Sequence, residues 1–326
     1  MPPDAEPSGP PPAAGVFDPR RNDRYAFETL RTRFAVELAE LRAHLDELGV
    51  DAAEPGAPAE WGDAHLLRFV LGFGSGKGAA LAFCRCVDWM REHDGAARRA
   101  RFAAGAPLRF RALRAMRQLA PMQRIGLDRH GCPVIVHYLG QLKPRQIIAK
   151  FSPEEIRHFN MLASERTYVQ LQTLSARDGV LRRSVLVLDL GGVGLNMLAP
   201  LALARLRSII SELTQVYVEM VDRVFFVRVP LAGWLQSLAY SLAPERSHHK
   251  FAFLGADFVE QLSEHVPREQ LPHALLTGIP PADGWGLQDG DVDMASEAEA
   301  KAEDDTASSV GDAHLGRSGG KGGGSR

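Results

Sequence analysis

Cysteine is scarce: Cys84, Cys86 and Cys132 are the only three in 326 residues. So odd and sparse a set supplies no disulfide framework and points to a reducing compartment. Cys84 and Cys86 stand two apart on a predicted helix, so they face different directions and make poor joint metal ligands. Charge bias is missing as well. The net charge is −2, with 24% charged residues, which argues against a dedicated nucleic-acid binder. No basic-then-apolar leader opens the sequence; MPPDAEPSGPPPAAG is proline-rich and carries acid, so no secretory signal is predicted. No apolar run is clean enough to span a bilayer. The longest, SVLVLDLGGVGLNMLAPLALA at 184–204, is broken by Asp189, two adjacent glycines and Pro200, and reads as strand, turn and helix. The expectation is a soluble chain of one large domain or two small ones.

Catalytic signatures are missing too. The stretch GFGSGKGAA at 72–80 contains Gly76-Lys77, but a phosphate loop needs a glycine where Leu71 stands and a metal-binding hydroxyl where Gly78 stands. It also follows WGDAHLLRFVL, in which Leu66, Leu67, Val70 and Leu71 recur at helical spacing, whereas a phosphate loop follows a strand. The run is therefore predicted to be a turn between two helices, with glycine as the C-cap. Gly74-Ser75-Gly76 lacks the outer spacing of a nucleophile elbow. His248-His249 has no third metal ligand at a recognisable spacing and reads as a solvated pair. The expectation is a protein that is not an enzyme, without catalytic residues, metal or cofactor.

Residues 1–24 are proline-rich, and 283–326 run from acidic to glycine- and serine-rich. Both are predicted to be disordered tails through which a protein partner could be engaged. Residues 25–104 read as helical: one helix over 26–48, a short one carrying HLLRFVL, and a third with Ala80, Phe83, Val87 and Met90 on one face. Between Arg91 and Arg124 nine arginines face only Glu92 and Asp94, an excess of 9 − 2 = 7. Two readings are open, a solvated helix face or contact with phosphate-rich membrane, and the first is the simpler. From 105 to 282 the texture alternates. A turn at DRHG leads into the strand PVIVHYL, and Ser152-Pro153-Glu154-Glu155 has the pattern of a capped helix start. The apolar strands SVLVLDL and RVFFVRV are separated by a helix with Leu203, Leu206, Ile210 and Leu213 on one face. FAFL and a helix near 256–264 follow. Strands alternating with helices predict an α/β fold around a mostly parallel sheet.

The segment 231–243, LAGWLQSLAYSLA, has no charged residue. Leu231, Trp234, Leu235, Leu238 and Leu242 lie on its apolar stripe, and Tyr240 adds aromatic surface. Such a helix is buried in a core, covers a greasy cavity, or touches membrane. A polar, cationic turn from Pro244 to Lys250 follows directly. An apolar lid beside a hydroxyl and an ammonium suits an amphiphile.

Taken in order, these motifs resemble the Sec14-like (CRAL-TRIO) lipid-binding family over about residues 64–280. LLRF, a turn and CRCVDWMRE resemble its N-terminal helical signature. Asp128, Gly131, Pro133 and Val134 resemble its entry strand, with Cys132 in place of the usual arginine. LVLDLGG is similar to its central strand. Tyr217-Val218-Glu219 resembles Y-P-E without the proline, VRVP at 227–230 precedes the gate helix, Lys250 opens the closing strand, and LPHALLTG resembles its terminal motif. The resemblance implies a helical N-terminal lobe packed on a CRAL-TRIO lobe, with a mobile gate helix over an apolar cavity that holds one lipid. It further implies a headgroup site at Ser247 and Lys250, with Glu219 orienting the lysine; serine keeps the donor of the usual threonine, and Met220 stands where an arginine is usual. The implied function is non-enzymatic binding and exchange of a phospholipid, phosphatidylinositol-type favoured, between membranes or to lipid-modifying enzymes. The alternatives are a lipid-sensing scaffold or a carrier of another hydrophobic molecule. The implied location is cytoplasmic with transient membrane association.

Overall fold

The computed structural model describes residues 25–194, 200–229 and 234–294 except 283, 286, 289 and 290. The chain first builds a helical lobe from α1 (Phe27–Arg33), α2 (Ala35–Glu47), α3 (Ala64–Phe73), α4 (Gly76–Glu92) and α5 (Gly95–Ala103). The single helix expected over 26–48 is broken at Phe34, where φ is −111° and ψ 27°. The glycine run is the turn between α3 and α4. Gly74 caps α3 with φ +68°, its N–H donating to the Val70 carbonyl, and the Ser75 hydroxyl caps α4 by accepting from the Gly78 amide at 3.2 Å. Gly76 is required where α4 crosses α2, since a Cβ there would fall 2.3 Å from Cβ of Glu40. Leu41, Leu45, Leu67, Val70, Ala79, Ala80 and Phe83 form the buried interior of this lobe.

The second lobe contains β1 (Leu108–Arg111), α6 (Leu113–Leu119), β2 (Met122–Leu127), β3 (Pro133–Tyr138), α7 (Pro144–Lys150) and α8 (Pro153–Asp178). It continues through β4 (Ser184–Asp189), α9 (Pro200–Val216), β5 (Val221–Val227), α10 (Trp234–Leu242), β6 (Phe251–Phe253), α11 (Phe258–Ser263), α12 (His273–Thr277) and β7 (Asp291–Met294). The main sheet runs β2-β3-β4-β5-β6. β2 is antiparallel to β3 and every other pairing is parallel, the mixed α/β architecture expected. The β2–β3 turn closes because the Asp128 carboxylate accepts from the amides of His130 (2.9 Å) and Cys132 (2.7 Å), with Gly131 at φ +77°. Ser152 and Glu155 complete the capping box that starts α8.

Two expectations are corrected. The tail predicted to be disordered from 283 is ordered over part of its length: β7 pairs in parallel with β1, from Leu108 opposite Asp291 to Arg111 opposite Met294. Trp285 is buried against Tyr138, with ring centroids 4.3 Å apart. Composition averages over such anchors: burial of one aromatic, Trp285, and the ion pairs of Asp291 with Arg117 and Arg166 tie the segment down. The arginine-rich stretch is not a uniformly solvated face either. Arg91, Arg101, Arg109 and Arg114 are exposed, whereas Arg98, Arg99 and Arg117 are buried. Arg99 donates from Nε to Glu165 at 2.6 Å and from Nη1 to Glu54 at 2.7 Å, joining the helical lobe to α8. Among the described residues no single helix is long and apolar enough to cross a membrane.

Candidate functional site

The two faces of the main sheet are covered differently. Val134, Val136, Val185, Val187, Phe225 and Val227 pack with Leu262 of α11 and Leu275 of α12 into a solid, fully buried layer. On the opposite face Leu186 and Leu188 of the central strand, together with Phe251 and Phe253 of β6, keep accessible surface although α10 lies over them. Their accessibility means that α10 does not seal against this face, which leaves a hollow there. The wall of this hollow is apolar: Val224 and Phe226 from below, and Leu235, Leu238 and Ala239 from α10. Of the expected gate residues, Leu235 is buried and Leu238 and Leu242 are half-buried. Leu231 and the side chain of Trp234 lie outside the described residues.

After α10 the chain forms a 3-10 turn over Glu245–Lys250. Three residues per turn bring side chains at i and i+3 to the same side, so Ser247 and Lys250 share a face. The His248 ring is not simply solvated: its Nε2 lies 2.9 Å from the Tyr240 carbonyl and 3.1 Å from that of Ala243, capping the end of α10. Lys250 is 8% exposed, and its Nζ donates to Oε1 of Glu219 at 2.7 Å. The expected lysine–glutamate pair is therefore formed.

Glu219 sits between α9 and β5 in the left-handed region, φ +53°, a conformation costing about 1–3 kcal/mol in a non-glycine residue. Three contacts hold it there. Arg68, itself buried, donates from Nη1 to the Glu219 carbonyl at 2.8 Å; Lys250 takes one carboxylate oxygen, and Arg183 donates to the other at 2.9 Å. Arg183 also pairs with Asp222 and lies over the Tyr25 ring, 4.1 Å from its centroid. Burial raises the Glu219 pKa, but Lys250 and then Arg183 outweigh it, so the carboxylate lies below its ordinary range. Burial pushes the Lys250 pKa down, opposed by Glu219. The pair thus has a second cation on the acid and spare donors on the lysine.

The sequence motifs point to Ser247, Lys250 and Glu219 but not to Arg68, Arg183 and Asp222, which the structure brings to Glu219 or to its partner Arg183. No spacing rule links residues 36 or 151 positions apart; the only signal is Arg182-Arg183 set immediately before an apolar strand. Nor do the motifs point to Arg246. It donates to the Thr214 carbonyl at 3.0 Å and lies over Phe73, whereas Met220 packs against the helical lobe. Among the described residues no group of three or more His, Cys, Asp or Glu is placed to hold a metal ion.

The arrangement is a mostly parallel sheet, one face of which α10 covers loosely, with a lysine–glutamate pair just before its edge strand. Residues 122–275 match the CRAL/TRIO domain, so this stretch of the chain is a CRAL/TRIO domain, in line with the resemblance to the Sec14-like family. The chain's fold is similar to the crystal structure of Sfh5, with a TM-score of 0.53 and 13% identity over 88% of this chain and 97% of that one.

Proposed function

We propose that the protein binds one phospholipid of the phosphatidylinositol type and exchanges it between membranes or presents it to lipid-modifying enzymes, with no chemistry performed on it. The acyl chains lie on Leu186, Leu188, Phe226, Phe251 and Phe253 beneath α10, and the headgroup phosphate meets Lys250 and Ser247. The observation that carries this reading is the Lys250–Glu219–Arg183 arrangement immediately before β6, the strand that carries Phe251 and Phe253. An incoming phosphate can take the free N–H groups of Lys250 while Arg183 continues to neutralise Glu219, so binding leaves no buried charge alone. Arg246, on the same turn, is placed to add a second donor.

Transfer between donor and acceptor vesicles tests this. Lys250→Ala removes a charged donor worth about 1.5–3 kcal/mol, so transfer of phosphatidylinositol should fall at least about tenfold. Transfer of an uncharged lipid such as diacylglycerol should change less than about twofold, and circular dichroism should show an intact fold. Equal loss for both lipids would remove Lys250 from the headgroup site. A protein that binds lipid yet moves little of it would be a sensor rather than a carrier.

A further inference from the structure

The hollow side of the sheet is not apolar throughout. The antiparallel register sets Met122 opposite His137 and Arg124 opposite Ile135, and the parallel register sets His137 beside Leu188. Paired residues share a face, so Arg124 and His137 stand on the same face as Leu186 and Leu188. They occupy its β2–β3 end, across the sheet from Lys250. His137 lies deep among protein atoms yet keeps accessible surface, as a side chain lining an enclosed space does.

Three arginines converge here from three elements: Arg117 of α6, Arg124 of β2 and Arg166 of α8. The carboxylate of Asp291 is the acid that meets them. Arg117 donates to it from Nε at 3.1 Å and reaches it with Nη2 at 3.0 Å, and Arg166 donates to it from Nη1 at 2.6 Å. Arg124 uses Nη2 on the Thr167 hydroxyl (2.8 Å) and Nη1 on the Gln170 side-chain oxygen (3.4 Å). That leaves Nη1 of Arg117, a side chain 1% exposed, and Nε of Arg124 buried without a hydrogen-bond partner. Burial and then Arg117 and Arg124 push His137 down to about 4, so it is neutral at pH 7. Burial and then Arg166 and Arg117 push Arg124 down only to about 10, so it remains a cation. Unpaired guanidinium donors in the interior are costly, and the group that satisfies both hydrogen bonds and charge is an anion. Asp291 already shows that carboxylate chemistry fits.

We propose that this basic pocket binds the anionic end group, a carboxylate or a phosphate monoester, of a single-chain acidic amphiphile whose tail runs along the hollow beneath α10. This rests on the lipid-holding reading of the hollow and adds a second ligand class held in the opposite sense. From β3 to β6 the chain crosses three strand spacings, about 14 Å, a span that one extended alkyl chain covers. The His137 N–H and the free donors of Arg117 and Arg124 meet the end group.

The test uses the full chain, cleared of co-purified lipid and titrated with dodecanoate, dodecyl phosphate and dodecanol below their micelle concentrations, at pH 8. Either charged probe should bind at least about tenfold more tightly than the alcohol. Arg124→Gln should erase that preference and leave dodecanol binding within about twofold, while Arg124→Lys restores part of it. Acetate and inorganic phosphate at millimolar concentration should not displace the bound amphiphile. Equal affinity for acid and alcohol would overturn the pocket and leave the hollow standing. Full displacement by inorganic phosphate would make it a site for a free small anion and overturn the proposal. Binding of none of the three probes would overturn the hollow as well. Should Arg124→Gln fail to fold, the comparison of acid with alcohol on the unaltered chain still decides.

Discussion

The same strands carry two surfaces that differ in what they do. Val185 and Val187 alternate along β4 with Leu186 and Leu188. All four are aliphatic, yet the valines are fully enclosed and the leucines are not. The difference comes from the covering elements. α11 and α12 are short helices that drive Leu262 and Leu275 directly into the sheet, while among the described residues α10 meets the other face through Leu235, half-buried Leu238 and Ala239, and Tyr240 stacked on Phe251. Hydrophobicity alone does not distinguish a core from a container; the fit of the opposing layer does.

The largest effect should come from truncating the solid side. Leu275→Ala removes a fully enclosed side chain and should cost about 2–5 kcal/mol, whereas Leu188→Ala, at a wall that already borders space, should cost less than about 1 kcal/mol. Urea unfolding measures both, and equal losses would mean that the two faces are packed alike.

A smaller effect concerns acid. His137 on the hollow side and His265, whose ring is tilted against Phe225 of the solid side at 4.9 Å, are both pushed down from 6.5 to about 4, chiefly by burial and then by nearby arginines. The unfolded chain therefore takes up these protons near pH 6.5 and the folded one only near 4. Stability is complete above about 6.5 and is lost as pH falls toward 4, by on the order of a few kcal/mol in total, with the more exposed His265 contributing less than His137. Thermal melts of the unaltered chain and of His137→Gln over this range should show a shallower slope for the variant. Identical slopes would place His137 in contact with water.

Much of this comparison is legible in the sequence and part of it is not. Strands β4 and β5 announce themselves as apolar, β-branched runs, and the uncharged stretch before Pro244 marks the helix over the hollow. Lys250 and Glu219 come from ordered motifs, and their pairing is as expected. Strand β2, MQRIGL, has no clean alternation because one of its inward positions is the arginine of the basic pocket. The β1–β7 pair joins residues about 180 positions apart, and no local pattern encodes such a partner. Arg117 and Arg99 read as surface residues because sequence shows a charge but not the acid that meets it across the fold.

Solvent extraction of the purified full-length chain followed by quantitative mass spectrometry tests most directly whether the hollow face holds a lipid. Close to one lipid molecule per chain is expected, with phosphatidylinositol enriched over its abundance in the host membranes. An extract free of lipid, from a protein that also takes up none from liposomes, would contradict it.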